Sequence, residues 1–197
     1  PIAEIREGEG FMGRTIKLTA CPLLSESQNF FDTYFAEVAA LFPKSRYFHA
    51  GLDEVWDIGY CELCKKDVRE HGGMGHLLLN HIKRTNELVN SMGKTMFIAN
   101  DMVESCPEIL PLVPRNVIFN VWCYDYIDPY PRNPFGNQKQ RNVAKIYNDL
   151  GLKFCATTWC NFTHNVDTYT NYAKKYEDNL FAHRVTTWQM TAEQRLF

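Results

Sequence analysis

Little in this sequence is in excess. Lys and Arg total 21 against 23 Asp and Glu, for a formal charge of −2, so neither sign dominates. Nucleic acids and anionic membranes call for a basic surplus, so no nucleic acid and no membrane is expected as the main partner. No run approaches the roughly 20 apolar residues of a membrane span. Residues Pro1 to Gly13 are polar and charged, without the basic start and apolar stretch of a secretory signal. Pro1 is not an initiator Met, and the natural N-terminus is expected upstream of it. No Gly-rich phosphate loop opens a helix, which argues against a nucleotide-binding fold. There is no low-complexity tract, linker or solenoid-length repeat. Regular cysteine spacing is also missing. The seven cysteines are odd in number, and free thiols in a reducing compartment, the cytoplasm first, fit them best.

What is present is globular composition: 45% hydrophobic and 22% charged residues exclude wholesale disorder. Aromatics reach 14%, high for a domain of this size; rings in excess of core needs often line a small-molecule or sugar site, although core packing is their commoner use. The patterning alternates. Phe31, Phe35, Val38, Ala39 and Phe42 form one apolar face of a helix over 28–42, with Ser25 and Gln28 at capping-box spacing before it. Further helices are expected at 58–71, about 76–92, 107–112, 138–150 and 167–181. Short strands are expected at 46–50, 95–99, 116–122, 153–157 and 184–188, with a loop over 124–136. Helix, then strand–helix four times, then strand implies a parallel sheet with right-handed crossovers. An open doubly wound sheet and a closed (β/α)8 barrel both have this order. Polar and aromatic residues at the strand ends favour the barrel, whose active sites lie on that face.

The most informative stretch is His49-Ala50-Gly51-Leu52-Asp53-Glu54-Val55-Trp56-Asp57. Adjacent carboxylates on a strand point to opposite sides. They share a site only where the pleat breaks, with His49, Gly51 and Asp53 facing one way and Glu54 turned in from the loop. Two such groups can hold different protonation states. An ordinary acidic βα loop is the alternative.

His-x-Gly-x-Asp-Glu-Val at a strand end resembles the signature of family 20 glycoside hydrolases, the β-N-acetylhexosaminidases, and the longer string resembles their hexosaminidase D branch. Glu4-Ile5-Arg6-Glu7, Lys17-Leu18-Thr19 and the helix at 28–42 are similar to what precedes the fourth barrel strand there. Ile98-Ala99-Asn100-Asp101-Met102 is similar to the fifth strand, Val121-Trp122-Cys123-Tyr124 to the sixth and Thr186-Thr187-Trp188-Gln189 to the eighth. The resemblance implies that residues 1–197 are about strands 4 to 8 of a (β/α)8 TIM barrel, part of a longer hydrolase and poorly stable or inactive alone. It implies a retaining, substrate-assisted exo-hydrolase of terminal N-acetylhexosamine residues, with no cofactor. Glu54 would be the general acid and base, and Asp53 would orient the 2-acetamido group. His49, Asp101, Trp122, Tyr124 and Trp188 would bind substrate or support the pair, with Asn100 and Trp159 as further candidates. Three departures stand out. Ala99 takes the place of a Trp, Gln189 and Met190 follow Trp188 where many members carry a glutamate, and Leu52 is expected to crowd the pair slightly. A non-catalytic carbohydrate-binding relative, or an inert fragment, is the rival reading.

Cys61-x-x-Cys64 has the spacing of half a zinc site. His71 and His76 are poorly spaced to complete it, and the pair falls within an expected helix, so no metal is expected.

Overall fold

A computed structural model describes residues 19–55, 57–125, 127, 128, 130, 131 and 141–187. Glu4 to Glu7, Lys17, Leu18, Trp56, Trp188, Gln189 and Met190 lie outside them. The strands are β1 (Tyr47–His49), β2 (Thr95–Ala99), β3 (Ile118–Trp122), β4 (Lys153–Trp159) and β5 (Leu180–Thr186). The helices are α1 (Ser25–Leu41), α2 (Glu62–His71), α3 (Met74–Ser91), α4 (Asp101–Ser105), α5 (Val143–Asp149) and α6 (Thr163–Ala173).

The five strands pair in parallel, in the order β1-β2-β3-β4-β5. That order decides between the two architectures the alternation allows. A doubly wound sheet reverses direction at a switch point. Here each crossover moves the chain one strand further the same way, and the right-handed rule for parallel connections then keeps the helices on one face. The sheet curls around the other face. The Tyr47 ring on β1 lies 5.4 Å from the Phe181 ring on β5, although three strands separate them. Phe97 on β2 meets both rings, at 5.5 and 5.6 Å. The fold is part of a (β/α)8 barrel.

Period-two alternation sorts the side chains. Phe48, Met96, Ile98, Phe119, Val121 and Phe154 point outward into a buried core beneath the helices. Phe119 meets Tyr147 of α5 at 4.8 Å, and Phe48 meets Phe35 of α1 at 4.9 Å. The opposite parity, including Phe97, Asn120, Trp122 and Thr157, faces the barrel interior, where Thr157 donates a hydrogen bond to Asn120.

Several boundaries differ from expectation. Ser25 is the first residue of α1 and not its cap, and Leu24 precedes it without a capping side chain. Gln28 donates instead to the Pro22 carbonyl at 2.8 Å. The residues 107–112 form a 3-10 turn, and α4 precedes it directly from the end of β2. Helix α6 ends at Ala173 and β5 starts at Leu180, four residues before expectation. The Asn179 amide explains this: it donates to the carbonyl and side chain of Asn148, at 3.3 and 3.1 Å, and so ties down the entry to β5. The Gly72-Gly73 break does separate two helices, because Gly72 closes α2 at φ 91, a left-handed value glycine adopts without strain.

One ion pair holds α4 to the start of α5. Arg141 donates to the Glu104 carboxylate at 2.8 Å, and Glu104 is buried. Burial pushes the Glu104 carboxyl up, and Arg141 opposes that. Arg141→Met strands the buried charge, and the expected loss is about 3 kcal/mol at neutral pH, read from urea unfolding of the complete protein. The loss shrinks on acidification, because a neutral carboxyl needs no cation. A loss that does not change with pH would show that the charge is not the cause.

Candidate active site

Strand β1 ends at His49, and the next residues are pinned to β2 by backbone bonds. Ala50 N–H donates to the Phe97 carbonyl at 2.8 Å, and Ala99 N–H donates to the Gly51 carbonyl at 2.9 Å. The chain then turns. Gly51 has φ 78, Leu52 φ 71 and Glu54 φ 54. Left-handed backbone costs a residue with a side chain roughly 1–2 kcal/mol. Two such residues flank Asp53, so the loop is held in a shape it would not take alone. This breaks the pleat, as a shared site requires. The alternation expected through His49, Gly51 and Asp53 stops at His49, because Gly51 is no longer extended.

His49 and Asp53 remain neighbours. The Gly51 N–H donates to His49 Nδ1 at 3.1 Å, which leaves the proton of the neutral ring on Nε2. Withdrawal from water pushes the His49 pKa down, Arg184 on β5 adds to this and Asp53 opposes it. Leu52 does not crowd the pair. It packs on the core and lines a cavity of about 200 Å3 behind the loop, together with Phe31, Phe35, Val55 and Ile58.

Both carboxylates of the pair are exposed. The Glu54 carboxyl is pushed up, first by partial burial and then by the negative charge of Asp53. Its backbone is fixed from below. Glu54 N–H donates to Asp101 Oδ2 at 2.7 Å, and the other oxygen, Oδ1, accepts the Trp122 indole N–H at 3.3 Å. Asn100 joins this support by accepting the Trp122 backbone N–H at 3.2 Å. Asp101 is only 2% exposed. Burial raises its carboxyl to about 6, against the pull of the N–H donors, while Asp53 adds a smaller upward push.

Beyond Trp122 an aromatic wall continues along the strand ends. Trp122 and Tyr124 rings lie 5.1 Å apart, and Tyr124 and Trp159 rings lie 5.8 Å apart. The structure thus gathers His49, Asp53, Glu54, Asp101, Trp122 and Tyr124 at one end of the sheet. Trp188 falls outside the described residues. Asp101, expected among the substrate-binding residues, accepts one N–H on each carboxylate oxygen, from the acidic loop and from the aromatic wall. Arg184 escaped the sequence reading. Its partner in register is the inward-facing Thr157, and counting back by twos from Trp188 would have placed it on the interior face.

An acidic pair on a strained loop, backed by a buried carboxylate and flanked by a row of aromatic rings in contact, is what a carbohydrate-processing barrel needs at its strand ends. The chain belongs to glycosyl hydrolase family 20: the family model "Glycosyl hydrolase family 20, catalytic domain" matches residues 7–194. Three solved structures are similar in fold. A β-N-acetylhexosaminidase from Bacteroides fragilis is 17% identical with a TM-score of 0.51, over 74% of this chain and 26% of its own. An exo-β-N-acetylglucosaminidase from Vibrio harveyi, in complex with N-acetylglucosamine, is 16% identical with a TM-score of 0.51, over 78% of this chain and 22% of its own. Dispersin B is 12% identical with a TM-score of 0.55, over 93% of this chain and 56% of its own. The chain therefore spans between about a fifth and just over half of these proteins. No curated protein matches it.

Proposed function

We propose that this chain is the catalytic-site part of a retaining exo-β-N-acetylhexosaminidase that works by substrate assistance. The observation that carries the reading is the Asp53–Glu54 pair, tied through Asp101 to the Trp122 wall. Family membership supports the reaction class. The N-acetylglucosamine bound to the Vibrio harveyi neighbour supports the sugar class.

In the first step the acetamido oxygen of the substrate attacks its own anomeric carbon, and the bond to the leaving oxygen breaks. Glu54 gives its proton to that oxygen. Its raised pKa suits this role, because it keeps the proton available at higher pH than an ordinary carboxyl. Asp53, as the carboxylate, accepts the acetamido N–H and stabilises the positive charge that spreads over the oxazolinium ring. In the second step Glu54, now ionised, takes a proton from water. The water oxygen attacks the anomeric carbon and the ring reopens. Two inversions give net retention. Trp122 forms an apolar wall for the sugar, the Tyr124 hydroxyl donates to the acetamido oxygen, and His49 supports the loop. Asp101 is a positioning residue that touches no substrate atom.

The complete protein, assayed on a nitrophenyl N-acetyl-β-hexosaminide and on the matching glycoside without the acetamido group, tests this. Only the first is expected to turn over at a measurable rate, because only it carries the internal nucleophile. Equal rates would overturn the substrate-assisted mechanism. Binding of N-acetylglucosamine without any turnover would favour a non-catalytic relative.

A further inference from the structure

Three buried thiols meet behind the acidic loop. Cys21 Sγ lies 3.3 Å from Cys61 Sγ and 3.5 Å from Cys64 Sγ, and all three lie within 4.8 Å of one another. Cys21 and Cys64 are 0% exposed and Cys61 is 4% exposed. Buried cysteine is common in cores, so burial alone says nothing. The convergence says more. Cys21 comes from the turn before α1, and the other two come from the start of α2, 40 residues later.

The local backbone suits a metal-binding knuckle. Helix α2 starts at Glu62, not at residue 58, so Cys61 is its cap and stands outside the helix at φ −73 and ψ 162. Cys64 N–H donates to Cys61 Sγ at 3.4 Å, and Lys65 N–H donates to the Cys61 carbonyl at 2.7 Å. Amide donation to sulfur and a helix N-terminus both favour the thiolate form. Without a metal, burial and the two neighbouring thiols push the Cys64 thiol far up. A divalent cation reverses that preference, because a coordinating thiol is deprotonated outright. Zinc–sulfur bonds of about 2.3 Å at tetrahedral angles set sulfurs ~3.8 Å apart. The two separations from Cys21, 3.3 and 3.5 Å, need only a small opening to match.

We propose that Cys21, Cys61 and Cys64 form a structural zinc site of three thiolates, with water or another exogenous group in the fourth position. The metal ties the turn before α1 to the start of α2, and so anchors the far end of the loop that carries Asp53 and Glu54. This site does not depend on the glycosidase reading. Soft thiolate donors select zinc over magnesium or calcium.

A second cluster must be kept apart from it. Asp67, His71 and His76 also gather, with Asp67 reaching His71 at 3.0 Å and His76 at 3.5 Å. The test is therefore one that reads sulfur. The complete protein, purified under reductant from zinc-supplemented cells, is expected to hold about one zinc per chain by plasma mass spectrometry. Cobalt exchanged into it is expected to give thiolate-to-cobalt charge-transfer absorption in the near ultraviolet. Cys21→Ser, Cys61→Ser and Cys64→Ser each abolish that band, while Cys106→Ser and His76→Ala leave it intact. If a serine variant does not fold, organomercurial titration of the wild-type protein replaces it, with zinc released as about three thiols react. Absence of zinc and of the cobalt band would overturn the proposal. So would loss of the band in His76→Ala, or a disulfide among the three cysteines by intact mass.

Discussion

Glu54→Gln in the complete protein is expected to lower kcat by about 10²–10⁴-fold, the range for losing a positioned general acid and base. The amide matches the carboxyl in shape. The loop keeps its geometry, because the bond to Asp101 comes from the Glu54 backbone N–H and not from the side chain. The loss is therefore chemical and should divide by leaving group. A dinitrophenolate departs with little need of a proton, so the first step survives and a burst of product should precede slow turnover. With an alcohol leaving group the first step fails as well. The pH profile adds an independent readout. Burial and the Asp53 charge keep Glu54 protonated above the ordinary carboxyl range, and wild-type activity falls as pH rises through its pKa. That basic limb should vanish in the variant. Unchanged turnover in Glu54→Gln would remove Glu54 from the mechanism.

The parts of this site that the sequence exposes are those carried by local pattern. Strand β2 is expected at 95–99 and found at Thr95–Ala99, because Met96 and Ile98 bury outward while Phe97 faces in. Asp53 and Glu54 stand out because acidic neighbours just past a strand are chemically odd. What stays hidden depends on contacts between distant segments. Nothing near residue 61 announces Cys21, since no spacing rule spans 40 residues of helix and strand. Nor does the sequence show that α4 begins directly after β2, with Asp101 as its first residue, so that the carboxylate turns beneath the loop. The capping box at Ser25 and Gln28 has the right spacing but does not form, because Gln28 finds the Pro22 carbonyl. Spacing licenses a contact; the alternatives within reach decide it.

Asp101 provides the sharpest separation between holding the fold and holding the site. Asp101→Asn preserves size but replaces one acceptor oxygen with an NH2 donor. Asp101 now accepts from both Glu54 N–H and the Trp122 indole N–H, so either orientation of the amide faces one donor with another. The acidic loop or the aromatic wall must shift. A displacement near 1 Å at a reacting group can cost about 10²-fold, and kcat is expected to fall by roughly 10–10² with KM little changed. Stability should respond differently. The Asp101 carboxyl stands at about 6 in the fold, above its ordinary 3.8. The folded state is thus favoured on the acid side and loses ground as pH rises from the lower value to the higher, by ~3 kcal/mol above it. The neutral amide escapes that penalty. It pays instead for one buried N–H without a partner, about 1–3 kcal/mol. The two nearly cancel, and the urea midpoint at neutral pH should move little while turnover drops. Below pH 6 the wild-type Asp101 gains a proton and meets the same donor conflict, so its activity should decline there. In Asp101→Asn that acid limb should be gone. If stability and kcat fall together, or the acid limb persists, Asp101 serves only the core and does not position Glu54.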